Sequence, residues 1–190
     1  MKRVEFWFPI ALMLSLAALT YWLDHSVQSA PAKKDGSTRH DPDYIVENFK
    51  TTRMGADGTP HHVLTATKMT HYPDDDSTYL EQPNFTSYQT GKPTVHITGS
   101  HGMVSANGEH VYFTSNVRVT REAFDKNSQL TLDTEYLHII PDKDLADSDK
   151  AVTIRDANTI VTAIGLELNN KTRIMKLLSR VKAYHEKPKR

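Results

Sequence analysis

Alternation constrains this chain more than any other feature. Six runs rich in Val, Ile, Thr and Tyr recur along it: "VLTATKM" (63–69), "TVHITG" (94–99), "HVYFTSNVRVT" (110–120), "LTLDTEYLHII" (130–140), "AVTIRD" (151–156) and "TIVTAIGLEL" (159–168). Several place apolar and polar residues at alternate positions, the period of a strand with one buried face. β-Branched side chains suit that backbone because they pack well on a pleated surface. Polar or Gly/Pro clusters such as "MGADGTP", "YPDDDST", "TGKP", "SANGE", "PDKDLADSDK" and "LNNKT" separate the runs and read as turns. The expectation is an all-β domain.

The runs also repeat as pairs. "GMVSANGEHVYFTSNVRVT" (102–120) and "GLELNNKTRIMKLLSRVKA" (165–183) share one order of parts: an extended run, a polar elbow and a second run. Four such units begin near Val63, Val95, Leu130 and Ile160, each about thirty residues long. Units that cannot bury an apolar face alone do so by stacking on their neighbours. "RIMKLLSRVKAYHEK" (173–187) is ambiguous alone and fits an amphipathic helix, but its counterpart "HVYFTSNVRVT" makes it a strand. Asn116 and Asp156 each follow a strand-like run. Both residue types tolerate positive φ, so a bulge or tight bend is expected at each.

The N-terminus has a different grammar. After Lys2 and Arg3, residues 6–23 ("FWFPIALMLSLAALTYWL") carry no charge. As a helix this stretch spans about 27 Å, close to the hydrocarbon thickness of a bilayer. Phe6, Trp7, Tyr21 and Trp22 stand at its ends, where amphipathic rings favour the interface. The basic residues before the span keep the N-terminus cytoplasmic. The competing reading is a signal peptide cut near Ala30-Pro31-Ala32, a poor site behind an apolar stretch longer than such signals use. The expected organisation is a cytoplasmic tip and transmembrane anchor (1–24), a polar linker (25–43) and a domain outside the cytoplasm (44–190).

Residues that carry chemistry do not assemble into a site. The 23 basic and 23 acidic residues balance, which removes the electrostatic case for nucleic acid. There is no cysteine, so disulfides and thiol catalysis are excluded. The ten histidines lack ligand spacing, and the acidic runs at Asp74–Asp76 and at Asp142, Asp144, Asp147 and Asp149 read as solvated turns. Ser100 and Ser105 near His101 have no nucleophile elbow, and Gly99 to Gly102 lacks the lysine of a phosphate loop. No metal, cofactor or catalytic residue is expected.

Taking the apolar set of each strand as inward predicts an interior lined by Leu80, Phe85, Ile97, Val104, Val111, Phe113, Val117, Leu132, Ile139, Ile154, Ile164, Leu168, Met175 and Leu177. The opening strand, with Tyr44, Val46 and Phe49, and the closing one, with Arg173, Val181 and Ala183, fall at sheet edges. Basic residues along the closing edge discourage self-pairing while leaving a chosen partner possible.

The order of parts, with "YLEQPNFTSY" (79–88), "VYFTSNVRV" (111–119), "AVTIRD" (151–156) and "RVKAYHE" (180–186), resembles the LptC family of Gram-negative lipopolysaccharide export. Family members often carry glycine where this chain has Asn116 and Asp156. The resemblance covers the chain from the anchor to Glu186 and implies a β-jellyroll of two facing antiparallel sheets. It implies that the interior takes the acyl chains of lipopolysaccharide from an inner-membrane ABC transporter (LptB, LptF, LptG). The closing edge would then dock the periplasmic bridge protein LptA, and the opening edge the transporter. The alternatives are an anchored β-domain that binds only protein, its interior packed shut, and, less favoured by the residues, an anchored hydrolase or metalloenzyme.

Overall fold

The computed structural model describes residues 7–27, 40–89 and 91–186. Lys2, Arg3, Phe6 and most of the expected linker lie outside them. The chain divides into two units, Met1–Thr38 and Arg39–Arg190. In the first, α1 (Trp7–Val27) contains a 20-residue stretch, Trp7–Ser26, of mean hydropathy 1.3, long and apolar enough to cross a membrane. Ser15 and Thr20 return their hydroxyls to the carbonyls of Leu12 and Leu16, both at 2.8 Å. Those polar groups are thus satisfied without water, as hydrocarbon surroundings demand.

The second unit is antiparallel throughout. Its strands are β1 (Tyr44–Met54), β2 (Pro60–Tyr72), β3 (Ser77–Glu81), β4 (Asn84–Ser87), β5 (Val95–Thr98), β6 (His101–Val104), β7 (Val111–Arg121), β8 (Leu130–Ile140), β9 (Leu145–Arg155), β10 (Thr159–Asn169) and β11 (Ile174–His185). The repeated units of the sequence are hairpins: β2 with β3–β4, β5–β6 with β7, β8 with β9, and β10 with β11. The segment ambiguous between helix and strand is strand β11. Because β3–β4 and β5–β6 are each one extended segment broken in two, a closed ring forms. β2 pairs with β3 and β4, these pair with β6 and β5, and both of those pair with β7.

The breaks lie at one level and continue across the longer strands as a crease. β3 and β4 part at Gln82-Pro83, with Gln82 at φ 48°, and β5 and β6 part at Gly99-Ser100. Along the crease Asn48, Ser115, Asn116, Gly165 and Arg180 take positive φ, and register shifts fall at 114/117, 134/138, 164/166 and 162/164. The two halves of each long strand therefore lean together, and the sheet becomes the two facing layers of a jellyroll. Asn116 bends as expected, at φ 54°. At Asp156 the chain turns sharply as expected but without positive φ: its Oδ1 closes the β9–β10 turn by accepting from the N–H groups of Asn158 and Thr159 at 3.0 and 2.9 Å.

Two more sequence expectations change. "LADSDK" (145–150) belongs to β9 and not to a turn, with Ser148 buried and Asp149 exposed. β3 and β4, which lie outside the six runs of the sequence, are strands too, while β6 is the first extended run of the 102–120 unit.

Side-chain hydroxyls replace the ladder bonds lost at the crease. Thr134 donates to the Ala151 carbonyl at 3.0 Å, Ser148 to Tyr136 at 2.7 Å, Ser179 to Ile164 at 3.0 Å and Thr67 to Glu81 at 3.0 Å. Thr134 and Ser148 are buried, where an unpaired carbonyl costs about 1–3 kcal/mol. Replacing Thr134 by Val should therefore lower unfolding free energy by about that amount in urea denaturation. At Gly165, φ is +83° and a Cβ would lie 2.9 Å from Leu178 Cδ1. Gly165→Ala should cost about 1–3 kcal/mol, and adding Leu178→Ala should recover only the steric share.

Candidate functional site

Directly opposed residues of an antiparallel pair share a face. One cross-strand row reads Val46, Met69, Leu80, Gly102, Phe113, Leu137, from the β1 edge to β8. A second reads Val104, Val111, Ile139, Ala146, Leu168, Met175, from β6 to the β11 edge. In the other layer a third reads Phe85, Ile97, Val119, Leu132, Ile154, Val161, Ala183. The inner face is thus apolar from one sheet edge to the other. Gly102 is the small member of its row, because a Cβ there would meet Pro83 Cγ at 3.1 Å.

The face is shut at its centre and looser at its ends. Ile97, Phe113, Val117, Leu137 and Ile139 form one buried cluster, with Phe113 at 0% exposure, and Leu132, Val152, Ile154, Ala163 and Leu166 form another. Val104, Val111 and Leu168 are half-buried, and Met175 at the β11 edge is 37% exposed. No group of three or more His, Asp or Glu residues among the described residues is placed to hold a metal ion.

The family model for LptC, described as lipopolysaccharide assembly and LptC-related, matches residues 10–186. The chain belongs to the LptC family. Its role is in lipopolysaccharide transport, and the family is a transport component, not an enzyme family. The fold is similar to a crystal structure of LptH from Pseudomonas aeruginosa, described as the LptA-homologous periplasmic component of the lipopolysaccharide transport device. The TM-score is 0.54 at 10% identity, covering 66% of this chain and 95% of that one. A search of curated proteins finds no match.

In this LptC-family chain, twelve of the fourteen residues expected in the interior stand on the three rows, in the buried clusters or both. Leu177 packs against the second cluster from β11. Ile164 belongs to neither cluster: the positive φ of Gly165 breaks the alternation, so Ala163 and Leu166 are buried in its place. Sequence reasoning also passed over Leu137 and Val152. Glu135, exposed between Thr134 and Tyr136, hides the change of phase in β8.

The edges are open along both outer strands of the LptC-family domain. Among the described residues, β1 pairs only with β2, and β11 only with β10. Tyr44, Val46 and Val181 are 46%, 37% and 51% exposed, Ala183 is exposed, and Phe49 is half-buried opposite Ala66. Arg173 is not in the strand: it sits in the preceding turn at φ 58°. Val181 lies in the β11 bulge next to Arg180, opposite no single β10 residue.

His71 ties down the start of β1. Its Nδ1 meets Asp43 Oδ1 at 2.7 Å, its Nε2 meets Asp76 Oδ1 at 2.8 Å, and Tyr44 stacks on its ring at 4.6 Å. The hydrogen bonds to Asp43 and then Asp76 raise the His71 pKa above its ordinary value. A raised pKa means the fold favours the charged ring. That stabilisation is complete below about pH 6.5 and is lost as pH rises through the raised value. The urea midpoint of the wild type should therefore exceed that of His71→Gln by more at pH 6 than at pH 9. Within the buried cluster, Phe113→Ala should cost about 3–5 kcal/mol, whereas Met175→Ala at the looser end should cost under about 1 kcal/mol.

Proposed function

We propose that this LptC-family protein binds lipopolysaccharide by its acyl chains along the inner face and passes it from an inner-membrane ABC transporter (LptB, LptF, LptG) to the bridge protein LptA. In this reading α1 anchors the chain in the inner membrane, residues 1–24 forming tip and anchor and 25–43 a linker. Residues 44–190 form the periplasmic domain. The observation that carries the reading is the apolar inner face that runs unbroken from the β1 edge at Val46 to the β11 edge at Met175 and Ala183. Each buried CH₂ contributes about 0.8 kcal/mol, so a few aliphatic contacts hold an acyl chain without any charge. The cluster around Phe113 is closed, so the chain enters at the looser row of Val104, Val111, Leu168 and Met175 and parts the layers from there.

The free N–H and C=O groups of the edges supply docking by added strands, which would carry the apolar face across the junction. The opening edge (Tyr44, Val46, Phe49) meets the transporter, and the closing edge (Val181, Ala183) meets LptA. The second reading, a scaffold that binds protein alone, draws on that same closed cluster. A photo-crosslinking residue at Met175 or Leu168 separates the two. It should capture lipopolysaccharide in cells, while the same residue at outward Thr153 should not; capture at neither inner position favours the scaffold. Proline is tolerated at edges and bulges, so Val181→Pro should leave the domain folded, lose LptA in a pull-down and keep the transporter. Retention of both partners by the folded variant would remove β11 as the docking edge.

A further inference from the structure

The opposite face of the sheet carries a feature that the acyl-chain reading does not use. A cavity of about 720 Å³ opens on it over β1, β2, β3, β6, β7 and β8. Its walls are aromatic: Tyr72 and Tyr79 on one side, Tyr112 and Tyr136 on the other. Register places Met103 of β6 between Tyr79 and Tyr112. The two walls therefore stand two strand spacings apart, about 10 Å, which leaves room for one saturated six-membered ring laid over Met103.

The rings are fixed before anything binds. Tyr72 and Tyr79 meet edge to face at 5.4 Å, and His40 stacks on Tyr72 at 4.0 Å while meeting Tyr79 edge-on at 6.5 Å. Tyr112 stacks on His138 at 4.7 Å, and His138 is itself held by Asp147 at 2.9 Å. Polar groups in the cavity are unspent. Among the described residues, none of the four phenol hydroxyls makes a hydrogen bond to the protein, and neither do the side chains of Thr70, Thr114 and His101. Lys68 is paired with Glu81 at 3.5 Å, so no uncompensated cation marks the cavity for a phosphate. Burial holds the Tyr136 phenol above its ordinary pKa, which keeps its proton available for donation.

A wall of π-faces with scattered hydroxyls and one compensated ion pair does not suit an acyl chain, which would strand those polar groups. It suits a pyranose, whose C–H edges carry positive charge toward a ring's negative face while its hydroxyls take up the polar rim. We propose that this outer face is a saccharide-binding site, with Tyr79 and Tyr112 as its platforms. The site is independent of acyl-chain binding on the inner face.

The test uses the full chain in phosphatidylcholine nanodiscs and saturation-transfer NMR with two acyl-free probes, the core oligosaccharide released from lipopolysaccharide and maltoheptaose. Saturation should pass to sugar ring protons, and Tyr79→Ala and Tyr112→Ala should each weaken binding by about fivefold, the size of one lost ring contact. Thr153→Ala, on the outer face of the other layer, should leave it unchanged. Binding of the core oligosaccharide alone would assign the glycolipid's own sugars as the source, and binding of both probes a general saccharide site; either supports the proposal. Transfer to neither probe, or binding equal in wild type and in the tyrosine variants, overturns it. Tyr79 is 42% exposed, so Tyr79→Ala decides the question should a thermal melt show Tyr112→Ala unfolded. Because neither probe carries an acyl chain, failure here leaves the inner-face crosslinking result untouched.

Discussion

A sheet that bends must find new partners for the backbone groups at the bend. Buried N–H and C=O groups without partners are costly, so the crease exists only where the chain supplies substitutes. Thr134 and Ser148 provide them in the buried part, Ser179 and Thr67 nearer the edges. Positive φ at Asn116 and Gly165 supplies the change of direction. Two facing layers, an enclosed apolar face and two open edges all follow from that line. A flat sheet of the same strands would expose the rows that end at Met175 and Ala183 to water.

The faces then divide the chemistry. Inner rows contribute apolar area, aliphatic apart from Phe85 and Phe113, and little else. Outside, one layer is charged, with Asp133 bridging Arg118 at 2.6 Å and Arg155 at 2.5 Å, and the other is ringed by tyrosines around a cavity. Exposed ion pairs of this kind add little stability and keep that surface solvated. A lipid with a polar head presents both kinds of surface at once.

The hairpin units, the apolar helix and most of the inner face were legible because each follows a local period. Val111, Phe113, Leu132 and Ile154 could be read by counting in twos. What escaped was phase. Gly165 shifts burial from Ile164 to Leu166, and the polar run 145–150 conceals half of β9, because its outward aspartates resemble a turn. Asp156 shows the converse: a residue suited to positive φ that instead caps a hairpin through its side chain. The aromatic cavity was not legible, since Tyr79 and Tyr112 stand 33 positions apart in sequence and meet only through β6.

The closed ring made by the broken strands has a kinetic meaning. β2 and β7 are each bonded along both sides, while β8, β9 and β10 rest on the ring in sequence and β1 and β11 hang on one neighbour apiece. In such a ladder, opening proceeds from the outermost rung and the enclosed ring opens last. Amide exchange should thus be graded, fastest in the two strands that present free edges. A docked strand would convert either from a fraying end into an interior rung, so assembly on this domain gains cooperativity from the partner's own backbone.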